Sequence, residues 1–206
     1  MAFGSGRQAT GHLTSDEAVA EQARGGDRAA FEELVRRHAD RLYAVLLRYT
    51  GDAEEAEEAT QEAFLRAWRR IEGFEGRSQF FTWLYRIGIN EAKRRAERRP
   101  GGGRVAAADE GRIERVADER AGPRQQAEQA ELREVLEKAI LDLPESYRLP
   151  LVLRDIEGLS TSEATDVMEL KEAAFKSRLH RARMIVREAV DRYLAGGESD
   201  SKSKGS

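Results

Sequence analysis

A basic stretch near the end of the chain holds the residues best suited to binding nucleic acid. Five positive charges and no acid occur in twelve residues, at Lys176, Arg178, Arg181, Arg183 and Arg187. Arg and Lys side chains neutralise phosphates, and side chains early in a predicted helix here (Lys176, Ser177, His180 and Arg181) could reach base edges in a major groove. A solvated basic face on an ordinary helical bundle explains the same pattern, and both interpretations stay open at this point.

An acidic cluster lies in the first half of the chain. Between Asp52 and Glu62 there are six acids and no compensating base. Acids at the start of a helix interact favourably with its dipole, but six are more than capping requires. The cluster indicates either a solvated helix face or a docking surface for a basic partner.

Aromatic and basic residues follow one another directly after this cluster. Four rings fall within six residues, at Phe80, Phe81, Trp83 and Tyr85, and a basic end follows at Lys93, Arg94, Arg95, Arg98 and Arg99. Rings that stack on bases beside a basic groove are the ingredients of single-strand binding. We expect Phe80, Leu84 and Ile87 to face inward, which leaves Trp83 or Tyr85 nearer the surface. Core packing explains any one of these rings taken singly.

The composition excludes several classes of chemistry. The chain has no cysteine, which excludes disulfides and thiolate catalysis, and its three widely spaced histidines argue against a metal centre. No Gly-rich phosphate loop and no nucleophile–base pair is present, so we expect no catalytic residue, no metal and no cofactor. No apolar run approaches the roughly 18 residues of a membrane span, and the first residues lack a signal core, which predicts a cytoplasmic protein. The net charge of −3 means that nucleic acid would bind local patches.

The spacing of apolar residues predicts an all-α fold. Steps of three and four give one helix that ends at Gly51, a second from about Asp52 to Ile71, and a third from about Ser78 into the basic end. A second block begins near Glu128 and includes a helix opened by Pro144. Ser160 and Glu163 then form a capping-box pattern, which starts a short helix ahead of the basic one. Two short helices of which the second is basic are typical of a helix-turn-helix.

The composition divides the chain into two small helical domains joined by a flexible linker. Pro100 and the three glycines after it break the third helix, and the mixed-charge segment that follows has few large apolar residues. The predicted organisation is an N-terminal tail (1–24), a first domain (25–99), the linker (100–127), a helix-turn-helix domain (128–195) and a disordered tail (196–206).

The residues by themselves leave more than one function open. An autonomous helix-turn-helix regulator would use the first domain to dimerise or to bind a ligand, and a helical interaction module would present its basic helix to an acidic partner. The aromatic, basic helix of the first domain is the feature that discriminates between functions, because a protein that only binds an operator does not need such a helix.

Several stretches in the same order resemble bacterial sigma factors of the sigma-70 family, in the extracytoplasmic-function (ECF) group. Residues 51–68 are similar to the helix with which that group binds core RNA polymerase, and residues 74–90 to its −10-element region. Residues 143–148, 157–160 and 176–183 resemble its −35-reading domain. The resemblance implies a first domain equivalent to sigma domain 2 and a second equivalent to sigma domain 4. It implies a factor that binds core polymerase and directs promoter-specific initiation.

The resemblance also assigns roles to residues of this sequence. Polymerase contacts would come from Asp52, Glu55, Glu58, Gln61 and Glu62. Capture of the −10 element would fall to Phe74, Arg77, Ser78, Trp83, Asn90, Lys93 and Arg94. Reading of the −35 element would fall to Arg154, Lys176, Ser177, Arg178, His180, Arg181 and Arg183.

The partners implied are the β and β′ subunits of core RNA polymerase, promoter DNA and an anti-sigma factor. Glu169 stands at a turn position where the family often has Gly, so we expect a strained left-handed backbone there.

Overall fold

Eight α-helices and no β-strand make up the described part of the chain, which is residues 15–98 and 123–203 of a computed structural model. In chain order the helices are α1 (Asp16–Arg24), α2 (Arg28–Thr50), α3 (Ala53–Arg70), α4 (Phe80–Arg98), α5 (Pro123–Leu141), α6 (Glu145–Leu151), α7 (Thr161–Met168) and α8 (Glu172–Ser203). A 3₁₀ turn (Ile71–Gly73) follows α3, and a π-helical turn (Val152–Ile156) follows α6. The predicted all-α class is confirmed.

The first four helices form an N-terminal bundle around leucine and alanine side chains. Asp27 caps α2 by accepting from the N–H groups of Ala29 and Ala30 at 2.9 and 3.2 Å. Gly51 ends the helix in the left-handed conformation, with φ of 72°. Gly88 lets α4 approach α2 closely, since a Cβ there would lie 2.9 Å from Leu42 Cδ1. The backbone of α4 is therefore set directly against the bundle core.

Helix α1 differs from the prediction, because it lies inside the segment expected to be a tail (1–24). Val19, Ala20 and Ala23 are buried on one side of it, and Ser15 caps its first turn. Asp16 ties it to α2, with Oδ1 3.1 Å from an Arg37 guanidinium nitrogen and Oδ2 2.9 Å from His38 Nε2. The helix was missed because its buried stripe is short and made mostly of alanine, which carries little periodic signal.

The last four helices form a C-terminal bundle whose core includes Leu143, Leu149, Leu153 and Phe175. The buried guanidinium of Arg148 holds the end of α5, since its Nε and Nη2 donate to the carbonyl of Leu143 at 3.2 and 2.8 Å. Burial lowers the pKa of Arg148 from its ordinary value. Pro150 lies within α6, where it removes one backbone donor, and the helix widens into the π-helical turn directly afterwards.

Helices α7 and α8 form the expected helix-turn-helix. Glu163 Oε2 accepts from the N–H of Ser160 at 2.8 Å, and Ser160 Oγ accepts from the N–H of Glu163 at 3.2 Å, so the capping box is confirmed. Glu169 connects the two helices with φ of 55°, which confirms the left-handed backbone expected there. Phe175 and Ala182 seat α8 on the bundle core, and both are fully buried.

The two bundles pack against each other through polar groups that meet at Glu157. Its Oε2 accepts from Arg41 Nε at 2.8 Å and from the Tyr85 hydroxyl at 2.9 Å. Arg148 Nη1 of the C-terminal bundle also donates to the carbonyl of Tyr49 at 2.8 Å. Burial, and then the charge of Glu157, raise the pKa of the Tyr85 hydroxyl. The sequence predicts a tether between two domains, and the structure adds a direct contact between the two bundles.

The structure covers the expected linker and C-terminal tail only in part. Residues 100–122 lie outside the described residues, whereas 123–127 belong to α5. Helix α8 continues to Ser203, into the segment expected to be a disordered tail (196–206). Within the described ranges no helix is long and apolar enough to cross a membrane, and no group of metal-ligating side chains is found.

Candidate nucleic-acid interface

The acidic residues of α3 fall on two neighbouring faces rather than one. Asp52 is the N-cap, and its Oδ1 accepts from the N–H of Glu55 at 2.9 Å. Glu62 pairs with Arg66 at 2.8 Å, and Glu58 pairs with Arg95 of α4. Of the five predicted polymerase contacts, Glu58 and Gln61 are exposed, whereas the remaining three are half-buried, at Asp52, Glu55 and Glu62.

The fully outward face of α3 combines acids with apolar side chains. Glu54, Glu57 and Gln61 are exposed at its start, and the same face continues to Leu65 and Trp68, which are 51% and 37% exposed. We call these five residues the outer face of α3. Apolar groups within a polar rim are typical of protein interfaces. Leu65 was missed because the sequence pattern does not show which side of the apolar stripe is uncovered.

A buried carboxylate joins α3 to the basic end of α4. Glu91 is 3% exposed, and its Oε2 lies 3.1 Å from Arg66 Nε and 3.4 Å from Arg94 Nη2. Its Oε1 lies 3.6 Å from Arg95 Nε. A carboxylate this deeply buried is stable only with such partners. Glu91 therefore fixes the position of the basic end relative to the outer face of α3.

The aromatic cluster places Trp83, and not Tyr85, at the surface. Tyr85 is fully buried between the bundles, whereas Trp83 is half-buried. The Trp83 ring packs 5.3 Å from Phe74 and 5.8 Å from Phe80, measured between ring centroids. Phe74 itself is 5% exposed, so it supports the Trp83 ring and offers little surface of its own.

A pocket of about 460 Å³ lies at the N-terminal end of α4. Its walls come from the loop before the helix, from the first turns of the helix and from Asp166 of α7, and they consist of Gly73, Phe74, Glu75, Arg77, Ser78, Thr82, Trp83, Arg86 and Asp166. We call it the loop pocket. Four predicted −10 residues meet there: Phe74, Arg77, Ser78 and Trp83. Asn90, Lys93 and Arg94 lie further along α4 and do not line it, while Thr82, Arg86 and Asp166 were not predicted.

The candidate −35 residues divide into exposed and internally bonded groups. Lys176, Ser177, His180 and Arg181 are exposed in the first half of α8, and Lys176 lies 2.5 Å from Glu172. Arg178 is half-buried. Arg183 makes a two-point contact with Asp155, at 2.8 and 2.6 Å, which raises its pKa. Arg154 donates to the carbonyl of Leu159 at 2.9 Å. Arg183 is exposed in spite of its contact with Asp155, so it lies on the accessible surface of the helix-turn-helix together with Lys176, Ser177, His180 and Arg181.

Two protein-family models match the two bundles. The model for sigma-70 region 2 matches residues 34–100, and the model for sigma-70 region 4 matches residues 133–185. The first covers most of α2 and all of α3, with α4 and the loop before it, and the second covers the C-terminal half of α5 through the first half of α8.

Curated proteins are similar over most of their length. The RNA polymerase sigma-H factor of Pseudomonas aeruginosa is 37% identical over 186 residues, which cover 87% of this chain and 93% of that protein. The ECF RNA polymerase sigma-E factor of Escherichia coli K12 is 34% identical over 182 residues, covering 86% of this chain and 93% of that protein.

Solved structures share the architecture. CnrH, solved in complex with the cytosolic domain of CnrY, has a TM-score of 0.62 and 27% identity, covering 87% of this chain and 99% of CnrH. The sigma factor RpoE of Bartonella quintana, solved with the anti-sigma factor NepR, has a TM-score of 0.59 and 21% identity, covering 78% of this chain and 96% of that chain. The second likeness supports the fold alone.

Proposed function

This chain belongs to the sigma-70 family of bacterial RNA polymerase sigma factors, in the ECF group, and we propose how its surfaces divide the work of initiation. Its function is to bind core RNA polymerase and direct promoter-specific transcription initiation. Sigma factors are non-catalytic initiation factors, and we assign no catalytic residue to this chain. Because core polymerase works in the cytoplasm, we place the protein there.

Our domain assignment keeps the predicted boundaries with one extension. The first domain (25–99) corresponds to sigma domain 2 and takes in α1 as well, because Asp16 is bonded to Arg37 and His38. The second domain (128–195) corresponds to sigma domain 4. Each domain carries one promoter-reading surface, and the linker (100–127) joins them.

The outer face of α3 is our candidate for the contact with the β and β′ subunits. Exposed acids at Glu54 and Glu57 would attract a basic partner, and Leu65 with Trp68 would supply apolar area to bury. Of the residues named from the sequence, Gln61 belongs to this face, and Glu58 is exposed beside it. Asp52, Glu55 and Glu62 would then shape the helix and its charge more than touch the partner.

The loop pocket is the observation that carries the −10 assignment. It offers the half-buried Trp83 ring for stacking and places Arg77 and Arg86 at its rim, where a phosphate backbone would pass. Extruding a base from duplex DNA costs a few kcal/mol, and stacking on a ring returns roughly 1–3 kcal/mol per base. Asn90, Lys93 and Arg94 would follow the strand along α4 beyond the pocket.

The first half of α8 is our candidate for the −35 contact. Lys176, Ser177, His180 and Arg181 are exposed on the half of the helix that enters a major groove in helix-turn-helix proteins. Arg178 would contribute from the edge of this surface. Arg154 and Arg183, which are bonded within the domain, would position the helix.

An anti-sigma factor is the third proposed partner, beside polymerase and promoter DNA. The similar CnrH was solved in complex with the cytosolic domain of CnrY, and that similarity covers 87% of this chain. The proposal for this chain is a protein partner that covers the exposed side chains of α3 and keeps core polymerase away.

Transcription with purified components tests the function directly. Core polymerase is given genomic fragments in multi-round reactions, with this chain, without it, or with a variant carrying Glu54→Arg and Glu57→Arg. We expect a set of new transcripts with the wild-type chain, and at least a tenfold lower yield of the same transcripts with the variant. Identical transcripts in all three reactions would contradict the proposal.

A further inference from the structure

Thr82 carries a buried hydroxyl that the fold leaves without a partner. The residue is 2% exposed in the first turn of α4, and no hydrogen-bond partner reaches its Oγ1. Buried polar groups almost always have a partner, so an exception calls for an explanation. Thr82 is also one of the residues that line the loop pocket.

Other threonines of this chain satisfy their hydroxyls through the preceding turn. Thr50 Oγ1 donates to the carbonyl of Leu46 at 2.9 Å, and Thr60 Oγ1 donates to the carbonyl of Ala56 at 2.6 Å. This is the usual bond of threonine within a helix. The residue four positions before Thr82 is Ser78, which belongs to the loop ahead of α4, so Thr82 lacks a helical carbonyl in the usual place.

The other residues that line the pocket indicate which kind of ligand would supply the missing hydrogen-bond partner of this hydroxyl. Trp83 offers a ring face, while Arg77 and Arg86 offer positive charge to a phosphate. Neither kind of group distinguishes one base from another, because every base stacks and every nucleotide carries a phosphate. A hydroxyl both donates and accepts, and hydrogen bonds to polar edges are how an extruded base is read.

We propose that the Thr82 hydroxyl makes a base-specific hydrogen bond to the nucleotide held in the loop pocket. Thr82 thereby sets the base preference at one position of the −10 element. The inference rests on the proposed −10 role of the pocket and names the group that reads the base there.

The test compares Thr82→Val with Thr82→Ser in the full-length chain. Each protein is combined with core polymerase on a promoter library randomised over the −10 positions, with the −35 segment taken from a fragment that the wild-type protein transcribes. We expect Thr82→Val to lose roughly 2- to 12-fold of the base preference at one position, the range for one neutral hydrogen bond. Thr82→Ser retains the preference, because it keeps the hydroxyl.

Thermal unfolding separates base reading from packing. Valine has the shape of threonine without the unpaired hydroxyl, so Thr82→Val unfolds at the same or a higher temperature than wild type. If Thr82→Val shows the same base preference as wild type at every −10 position, the assignment is overturned. Loss spread evenly over all positions, or shared by Thr82→Ser, would overturn it as well.

The wild-type selection reports separately on the underlying −10 role. If the wild-type chain enriches no base at any −10 position, the proposed role of the pocket fails, and the Thr82 assignment fails with it. If the wild-type chain enriches bases and Thr82→Val enriches them equally, the −10 role stands and only the Thr82 assignment is lost.

Discussion

At the scale of single residues, Trp83 and Arg181 are proposed to hold DNA in two different ways. Trp83 is half-buried, and its ring packs against Phe74 and Phe80. Arg181 is an exposed charge on α8. A ring acts on bases that have left the duplex, whereas a charge acts on phosphates whether or not the strands are open.

Replacing Trp83 should affect strand opening more than folding. Trp83→Ala removes a stacking surface worth roughly 1–3 kcal/mol, so we expect open complexes to fall by about 5- to 100-fold. Trp83→Phe keeps a ring and should retain most of the activity. Permanganate reactivity of unpaired thymines measures the open complex, and circular dichroism checks folding. Normal thymine reactivity with a folded Trp83→Ala would rule out the stacking role.

Replacing Arg181 should change the salt dependence of promoter binding. If Arg181 neutralises one phosphate, Arg181→Ala lowers the slope of log affinity against log salt by about one. Arg183→Ala is the matched control, because its guanidinium is already bonded to Asp155 and should alter the slope less. Titration of the holoenzyme with promoter DNA at several salt concentrations gives both slopes. No change in either affinity or slope for Arg181→Ala would remove it from the contact.

At the scale of elements, the acidic residues of α3 fall into two groups, although they are neighbours in the sequence. Asp52 begins the helix and accepts from the N–H of Glu55, whereas Glu54 and Glu57 are exposed, and Glu57 accepts from the Gln61 amide at 3.2 Å. A change at Asp52 should therefore act mainly on the helix, and a change at Glu54 and Glu57 mainly on the proposed partner.

We therefore expect different outcomes from substitutions at these positions. Asp52→Ala should cost about 1 kcal/mol of stability through the lost cap, with a smaller effect on polymerase binding. Glu54→Arg with Glu57→Arg should weaken association with core polymerase at least tenfold, since charge complementarity is reversed, and should cost up to about 1 kcal/mol of stability because acids at the start of a helix interact favourably with its dipole. Glu17→Arg with Glu21→Arg on α1 makes the same charge change elsewhere and serves as the control. Association is measured by fluorescence anisotropy, and equal binding by both double variants would refute the docking role.

A structural feature can be predicted from the sequence when the residues that determine it are close together along the chain. The Ser160–Glu163 capping box and the left-handed Glu169 are local, and both were predicted. The burial of Tyr85 was not, because its hydroxyl is satisfied by Glu157, which lies 72 residues further along the chain. The same holds for the loop pocket, in which Asp166 comes from the other bundle and the isolation of the Thr82 hydroxyl depends on the loop's path.

At the scale of the whole molecule, the contact between the bundles places α7 of the helix-turn-helix against the loop pocket. Asp166 of α7 lines the same pocket as Trp83 of α4. The −10 and −35 elements are separated by about 25 base pairs, or roughly 85 Å of B-form DNA. If the proposed −10 and −35 surfaces read one promoter together, the contacts at Glu157 would have to break first.

Reversing the charge at the centre of this contact should open the molecule. Glu157 is partnered by Arg41 and Tyr85, so Glu157→Lys leaves a positive charge facing Arg41 and should cost about 3 kcal/mol of interface stability. We expect the radius of gyration from small-angle X-ray scattering to increase while helix content is unchanged. Glu188→Lys, on the exposed side of α8, is the control. Equal radii for Glu157→Lys and wild type would show that these bonds do not hold the bundles together.

Because Asp166 lines the loop pocket, the contact between the bundles also bears on which nucleic acids the free protein would bind. Replication and repair leave many single-stranded segments on a chromosome. These strands would occupy a base-binding pocket that was not covered. If the loop pocket holds a base as proposed, a second bundle packed beside it would limit the access of those strands in the free protein. Separation of the two bundles on a promoter would then make the whole pocket accessible.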